Sequence, residues 1–533
     1  MYRCIFFLLN SQKKSKSVKT SKVLFAVMAS LMPFAVYAQY GNASFGGSLI
    51  DEFNSFRSET IEEFDAFQKQ ILNEYITFIG GKLEDTRHYG DNLKPSRPKP
   101  SVPPALNPST VVPGLKDVVN VDDDTADSVE VVSLEQVSTE SLAVFTKNKA
   151  AENKETETPT LKEETVQVPA ENNIEIDIYG LQLSWPSIDM SKLSFTTSGS
   201  YWKGVKLMVD TSRLTDAIRE SAIKYSLGSW CTLLAVNKYV EKLLDGQNTP
   251  AVMTLTHYLM SDLGYDLVLG IINGNDTRLF IPFDQAVYDT DYANYHGKRY
   301  YIYPKMRLTP GTPVSLASLP VAENSDELTF NLVINPSLVI PRDDISFSVT
   351  DSVINLQGNV NGNLINLMKD YPLMDTEYYA MSMADSEMRD QVLDALRPQI
   401  EALETEAAAN ELLHFIHNAF EYKTDGNQFG AEKPFFLEEI FYYPFSDCED
   451  RAILYSFLVH YLLDLDVVLL TYPNHVCTGV ALPAEPSEGD LIACIVLDNK
   501  RYYVCDPTFI GSDVGMPQTS FIGVTPSKVT KWY

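Results

Sequence analysis

Two pairs of segments in this chain resemble each other at nearly equal separation, and that limits the folds open to it. Thr256-His257-Tyr258-Leu259-Met260-Ser261-Asp262-Leu263-Gly264-Tyr265-Asp266-Leu267-Val268-Leu269 resembles Val459-His460-Tyr461-Leu462-Leu463-Asp464-Leu465-Asp466-Val467-Val468-Leu469. Lys298-Arg299-Tyr300-Tyr301-Ile302-Tyr303-Pro304 then resembles Lys500-Arg501-Tyr502-Tyr503-Val504-Cys505-Asp506-Pro507. His257 stands 41 positions before Lys298, and His460 stands 40 before Lys500. Each segment pair reads as a helix end, a strand and, about 40 residues on, a second strand, so the spacing predicts one α+β unit used twice.

The segments around the second copy carry chemistry that the first lacks. Ser446-Asp447-Cys448-Glu449-Asp450-Arg451-Ala452 opens an apolar helical run, and either Asp447 or Ser446 can cap it by accepting the free N–H groups of its first turn. His475 follows a strand across a Pro473-Asn474 turn, and Asp506 leaves another strand ahead of Pro507. A thiol, an imidazole and a carboxylate in that order are the parts of a cysteine nucleophile with its base and orienter. A helix N-terminus favours thiolate, but Asp447, Glu449 and Asp450 oppose it, so an imidazolium has to supply most of the activation. Counting back from His257 as from His460, Asp245 stands where Cys448 does; Asn275 or Asp276 stands for His475, and Pro304 for Asp506. The first copy therefore reads as non-catalytic.

The remaining chain divides by composition. Residues 1–38 carry six positive charges and no acidic residue, then an apolar run that ends at Val36-Tyr37-Ala38 before Gln39. That is the pattern of a cleaved secretory signal; the apolar run is too short for a membrane span, and the mature chain is expected to have no transmembrane helix. Cleavage moves the net charge from -29 to about -35 and places the protein in the periplasm or outside the cell. An acidic balance of this size disfavours nucleic acid and anionic membranes as partners. Five cysteines then remain, an odd number without disulfide or zinc spacing, so a free thiol is expected, with Cys448 as candidate.

Within residues 44–82, Phe53, Phe56, Thr60, Phe64, Phe67, Ile71, Tyr75 and Phe78 recur at helical spacing up to Gly80-Gly81. They predict an amphipathic helix, either for packing or for docking an envelope protein partner. Residues 91–173 read as a disordered acidic linker opened by Pro95-Ser96-Arg97-Pro98-Lys99-Pro100. Residues 174–310 are expected to form the copy without a triad, 311–375 a β-rich connector containing the strand-like runs 330–334 and 345–349, and 376–533 the catalytic unit.

Asp447-Cys448-Glu449-Asp450-Arg451-Ala452, Asn474-His475-Val476 and Tyr502-Tyr503-Val504-Cys505-Asp506-Pro507-Thr508 resemble the three motifs of the transglutaminase-like superfamily. Tyr422-Lys423-Thr424-Asp425, Gln428-Phe429-Gly430 and Lys433-Pro434-Phe435-Phe436 are similar to an exported Bacteroidetes subgroup. The resemblance covers about residues 410–515. It implies a papain-like core, a cysteine-bearing helix packed on an antiparallel sheet, with Cys448 as nucleophile, His475 as general base and acid, and Asp506 as orienter. Sites of this kind also use an oxyanion donor; Gln428 is the candidate here, with Tyr422 second. The expected activity is amide acyl transfer on a protein or peptide substrate, hydrolysis before cross-linking, with no cofactor and no metal. His414 and His417 share a helix face without a third ligand and read as packing. The competing reading is a non-catalytic envelope scaffold that binds peptides in an inherited groove.

Overall fold

The computed structural model describes residues 82–86, 115–122, 129–133, 173–189, 211–246, 249–274, 276–318, 328–486 and 491–532. The expected signal and the body of the amphipathic helix lie outside these residues. Among the described residues the protein is a mixed α+β structure of ten helices and five sheets. No described helix is long and apolar enough to cross a membrane.

In chain order, β1 (Lys82–Thr86), β2 (Leu115–Asn120) and β3 (Glu130–Ser133) precede the hairpin β4 (Asn173–Ile178) and β5 (Leu181–Pro186). Helices α1 (Ser212–Tyr225), α2 (Gly228–Leu243) and α3 (Thr249–Asp262) follow, then β6 (Val268–Ile272), β7 (Asp276–Ile281), β8 (Tyr292–Tyr295), β9 (Lys298–Tyr303) and β10 (Val314–Ser318). The hairpin β11 (Asp344–Thr350) and β12 (Asn355–Asn361) leads into α4 (Gly362–Lys369), α5 (Thr376–Met381), α6 (Ser386–Ile400) and α7 (Thr405–Ala419). After these come β13 (Glu421–Tyr422), α8 (Asp425–Gln428), α9 (Leu437–Tyr442), β14 (Phe445–Ser446) and α10 (Cys448–Leu463). The chain ends with β15 (Val467–Tyr472), β16 (His475–Val480), β17 (Leu491–Leu497), β18 (Lys500–Cys505) and β19 (Lys528–Trp532).

Two of the sheets share one plan. The first runs β1-β10-β6-β7-β9-β8, and the second runs β2-β17-β18-β16-β15-β19-β3. Without their outermost linker strands, both have a helix, two antiparallel hairpins in which the second and fourth strands pair, and a later strand added beside the first. The matched sequence segments occupy corresponding places in this plan. One face of each sheet joins a single core cluster that extends from Ile176 to Trp532 and takes in the helices; the other face closes over a smaller apolar cluster of its own. Strand β1 also approaches β8, so the first sheet curls until its ends meet.

Several sequence-based boundaries need correction. The stretch 91–173 is not patternless throughout: β2 pairs in parallel with β17 and β3 in parallel with β19. These strands form at sheet edges from partners more than 350 residues away, so local composition carried no sign of them. Residue 310 is no boundary either, since β10 pairs with β6 and belongs to the first sheet. The connector is β-rich only in part: residues 330–334 are not a strand and contribute an isolated bridge at Phe330, whereas 345–349 lies within β11.

The parts between the sheets are tied by buried polar groups. Asp385 caps α6 by accepting the Met388 N–H at 3.0 Å, and it also accepts the Asn361 N–H at 3.0 Å and the Arg342 guanidinium at 2.6 Å. Removing this carboxylate strands two buried N–H donors, one of them the cap of α6, and the Arg342 guanidinium. Asp385→Ala is expected to lower the unfolding free energy by roughly 2–4 kcal/mol in urea denaturation; a loss too small to resolve would mean that water replaces all three bonds.

Candidate functional site

The topology of the second sheet gathers three separate points of the chain at one end. Helix α10 packs on β15 and β16. The chain ascends α10, descends β15 and turns at Pro473-Asn474, so His475 at the start of β16 returns to the level of Cys448 at the start of α10. Strand β18 runs antiparallel to β16, with Cys505 opposite Thr478, and therefore ends where β16 begins. Asp506 leaves the sheet at that point.

Asp506 and His475 meet directly, with Oδ2 to Nε2 at 2.8 Å, and each is 1% exposed. The other carboxylate oxygen, Oδ1, accepts the Thr508 N–H at 3.0 Å and its hydroxyl at 2.7 Å. Burial alone would raise this carboxyl, but His475 and the Thr508 donors outweigh it and hold it below its ordinary 3.8. A charged Asp506 requires Nε2 to carry the ring proton, which leaves Nδ1 as the basic nitrogen. Nδ1 is buried and has no hydrogen-bond partner.

Cys448 is 1% exposed at the first turn of α10. The Val476 backbone N–H, one residue beyond His475, lowers the thiol slightly against the larger effects that raise it. The thiol's own hydrogen bond goes to Glu449 Oε2 at 3.0 Å and not to the imidazole. Burial, followed by the charges of Glu449 and Asp447, pushes the thiol well above its ordinary 9.0. The resting form is therefore a protonated sulfur facing acid, with no hydrogen bond to His475, whose Nδ1 has no partner.

An acidic cluster continues behind the thiol. Asp447 occupies the N-cap position, while Ser446 accepts from Arg451 Nε at 3.2 Å instead. Asp450 accepts the Asp447 N–H at 3.0 Å and the Phe435 N–H at 2.9 Å, and Asp425 accepts the Lys433 N–H at 2.5 Å. Carboxylate oxygens of Asp425, Asp447 and Asp450 lie within 4.8 Å of one another, as do those of Asp425, Glu432 and Glu449. Burial first, then mutual repulsion, raises Asp425 to about 9 and Asp450 to about 7, and drives Asp447 well upward. Oxygen sets of this kind suit a hard divalent cation. They equally suit shared protons, the form that the raised carboxyls imply.

Arg451 is the cationic counterpart. It is 1% exposed and donates to Ser446, to the Pro507 carbonyl at 3.3 Å and to the Phe420 carbonyl, with the Tyr422 ring 5.3 Å from its guanidinium. One buried side chain thereby joins the start of α10 to the loop that carries Asp506.

Gln428 is the last residue of α8; its side-chain oxygen is buried without a partner, and no hydrogen bond joins it to Cys448. Tyr422 stands near the thiol, its hydroxyl pushed up by burial and then by the Cys448, Asp447 and Glu449 charges. Two further contributors, Gln518 and Phe521, were not singled out from sequence, and His417, read there as packing, reaches the Asp506 loop. His417 Nε2 donates to the Asp506 carbonyl at 3.0 Å and its Nδ1 accepts the Gly511 N–H; burial lowers it to about 4, so it stays neutral. The Gln518 amide nitrogen lies 3.3 Å from both His475 Nε2 and Thr508 Oγ1. Phe521 stacks on the His475 ring at 5.0 Å and 12°. Thr508 had a legible cue, its place directly after Asp506-Pro507; Gln518 and Phe521 sit in a stretch without periodicity.

No family model matches this chain, no curated protein matches it, and no solved structure matches its fold.

The carboxyl cluster sets an unusual pH dependence. A carboxyl raised in the folded state stabilises the fold below its unfolded value near 3.8, and that contribution is lost as pH rises through the folded value, about 9 for Asp425. Tm in a chelator-containing buffer is therefore expected to fall between pH 5 and pH 8, and Asp425→Asn to flatten that slope. An Asp425→Asn slope equal to that of the parent protein would show that Asp425 is already ionised across this range.

Proposed function

We propose that the protein is an exported thiol acyl-transfer enzyme that acts on amide bonds of a protein or peptide, with Cys448 as nucleophile, His475 as base and acid, and Asp506 as orienter. The observation that carries this reading is the His475–Asp506 pair, held at 2.8 Å so that the unprotonated ring nitrogen is left without a partner at the end of the sheet where α10 begins. The transglutaminase-like resemblance of the three motifs supports the same roles, and with them a papain-like arrangement of helix and sheet. The first sheet would then be a duplicated copy that has lost its chemistry.

In the reaction, His475 Nδ1 takes the thiol proton and the sulfur attacks the amide carbonyl. The imidazolium returns the proton to the leaving amine, and water resolves the thioester. The Val476 N–H would favour negative charge on sulfur once the thiol is deprotonated. Asp506 keeps Nε2 protonated throughout, and Gln428 remains a candidate oxyanion donor. Transfer of the thiol from Glu449 to His475 must precede attack.

That prior step is also what favours the second reading, a peptide-binding scaffold. A buried thiol bonded to Glu449 and raised well above 9.0 is unreactive as it stands.

The pH profile of iodoacetamide alkylation at Cys448, followed by peptide mass spectrometry, tests the two readings. An enzyme is expected to label at pH 6–7 through its imidazolium-paired thiolate, to lose that labelling in His475→Ala, and to show none in Cys448→Ala. Identical profiles for the parent chain and His475→Ala would remove the base and leave the scaffold. Glu449→Gln, which takes away the nearest negative charge, is expected to raise the rate at pH 7 about tenfold, equivalent to one unit of thiol pKa.

A further inference from the structure

Two linker strands, far from the site in sequence, grip the segment that covers His475. Phe521 ends a 3-10 turn, Thr519–Phe521, and lies flat on the imidazole while also packing against Tyr472 at 4.8 Å. Two residues on, the Gly523 N–H donates to Asp117 of β2 at 2.6 Å. Immediately after the segment comes β19, which β3 flanks in parallel, with Glu130 reaching Lys528 at 3.6 Å. The covering turn is thus fixed on one side by β2 and on the other by β3.

The linker is well seated. Val119, Val121 and Val129 pack, together with Phe521, on the apolar face formed by Val468, Tyr472 and Ile495 among others. The Asp122 carboxylate accepts both N–H groups of the Asp498-Asn499 turn, at 2.8 and 3.0 Å. Among the described residues both strands are nevertheless sheet edges held by one partner each, and Val118 and Val131 are 48% and 43% exposed. Edge strands with few buried contacts open at lower cost than the sheet they flank.

We propose that β2 and β3 form an intramolecular strap that holds Phe521 over His475, so that releasing the strap uncovers the imidazole. The device keeps the site closed until something competes for the edges of β17 or β19, as an added strand from a partner would. It rests on the reading of His475 as the base only for its consequence. The covering itself is the ring contact of Phe521 on the imidazole and does not depend on any reaction of Cys448.

The experiment is carbethoxylation of His475 by diethyl pyrocarbonate in the full mature chain, read by peptide mass spectrometry. Val119→Asp and Asp117→Ala, which unseat β2 at two points of the same inner face, are expected to raise the rate roughly tenfold or more, the scale of a local opening shifted by one or two contacts. Val118→Asp on the exposed face is expected to leave the rate as it was. Phe521→Ala is expected to raise it with the strap in place, and adding Val119→Asp to Phe521→Ala to give no further rise, because the strap acts through that ring. The proposal falls if Val119→Asp frees the β2 amides to hydrogen exchange while His475 stays protected, or if the two effects add. It falls equally if His475 becomes reactive only together with the buried thiols of Cys477 and Cys505, since the whole sheet would then be opening.

Discussion

The arrangement of the candidate site depends on the antiparallel register that sets Cys505 opposite Thr478. That pairing puts the exit of β18 beside the entry of β16, and the short turn at Pro473-Asn474 brings the same entry back beneath the start of α10. A slip of one residue would turn Thr478 and its neighbours to the other face of the sheet and separate Asp506 from His475. The register is protected by what the strands bury: Val476 and Val480 face the core shared with α10, while Val504 and Tyr502 face the inner cluster. Ordinary sheet packing, and no special loop, therefore determines how far the imidazole lies from its carboxylate.

The charges around this frame pull in opposite directions. Asp506 is surrounded by donors and stays ionised, whereas Asp425, Asp447 and Asp450 crowd one another and are driven toward neutrality. Cys448 lies between the two environments and in the resting form belongs to the second, since its proton is shared with Glu449. The first turn of α10 thus opposes the thiolate that its own helix end would favour. Arg451 compensates only in part. It is committed to the carbonyls of Phe420 and Pro507, and burial lowers it to about 10. Readiness at this site is governed less by the presence of the three side chains than by which acid holds the thiol proton.

Much of this frame was readable from the residues. The helix beginning at Cys448, the strands on either side of the Pro473-Asn474 turn and the strand ending at Cys505 all follow from apolar runs bounded by turn residues, because their partners are near in sequence. The opposition of the neighbouring carboxylates to the thiolate was equally legible, since it requires only adjacency. The strap was not. Leu115–Asn120 and Glu130–Ser133 are short, half-polar segments that become strands only where Leu491 and Lys528 offer free edges. Gln518, Phe521 and His417 reach the site through a loop and a neighbouring helix, and their roles depend on long-range packing that no periodicity records. The run 330–334 failed for the converse reason. Its apolar residues are buried, but Asn331 turns its side chain to Gln285 and to the Val333 N–H, and the backbone is held by side chains in place of a ladder.

The first sheet shows why matched topology does not give matched chemistry. At the end corresponding to the candidate site, β7 begins with Asp276, whose carboxylate is taken by Arg278 at 2.8 Å, and β9 is followed by Pro304, which has no acid to offer. What this half contributes instead is structure. Tyr288 hands its hydroxyl to Asp375 at 2.6 Å, and Asp375 and Glu377 together hold Lys528 of β19. Lys528 in turn meets Glu130 of the strap. A chain of polar contacts therefore runs from the first half, through β19, to strand β3 of the linker. Placing a thiol at the end of the first sheet would restore nothing, because no imidazole–carboxylate pair awaits it there; loosening the first half, however, would reach the second through Lys528.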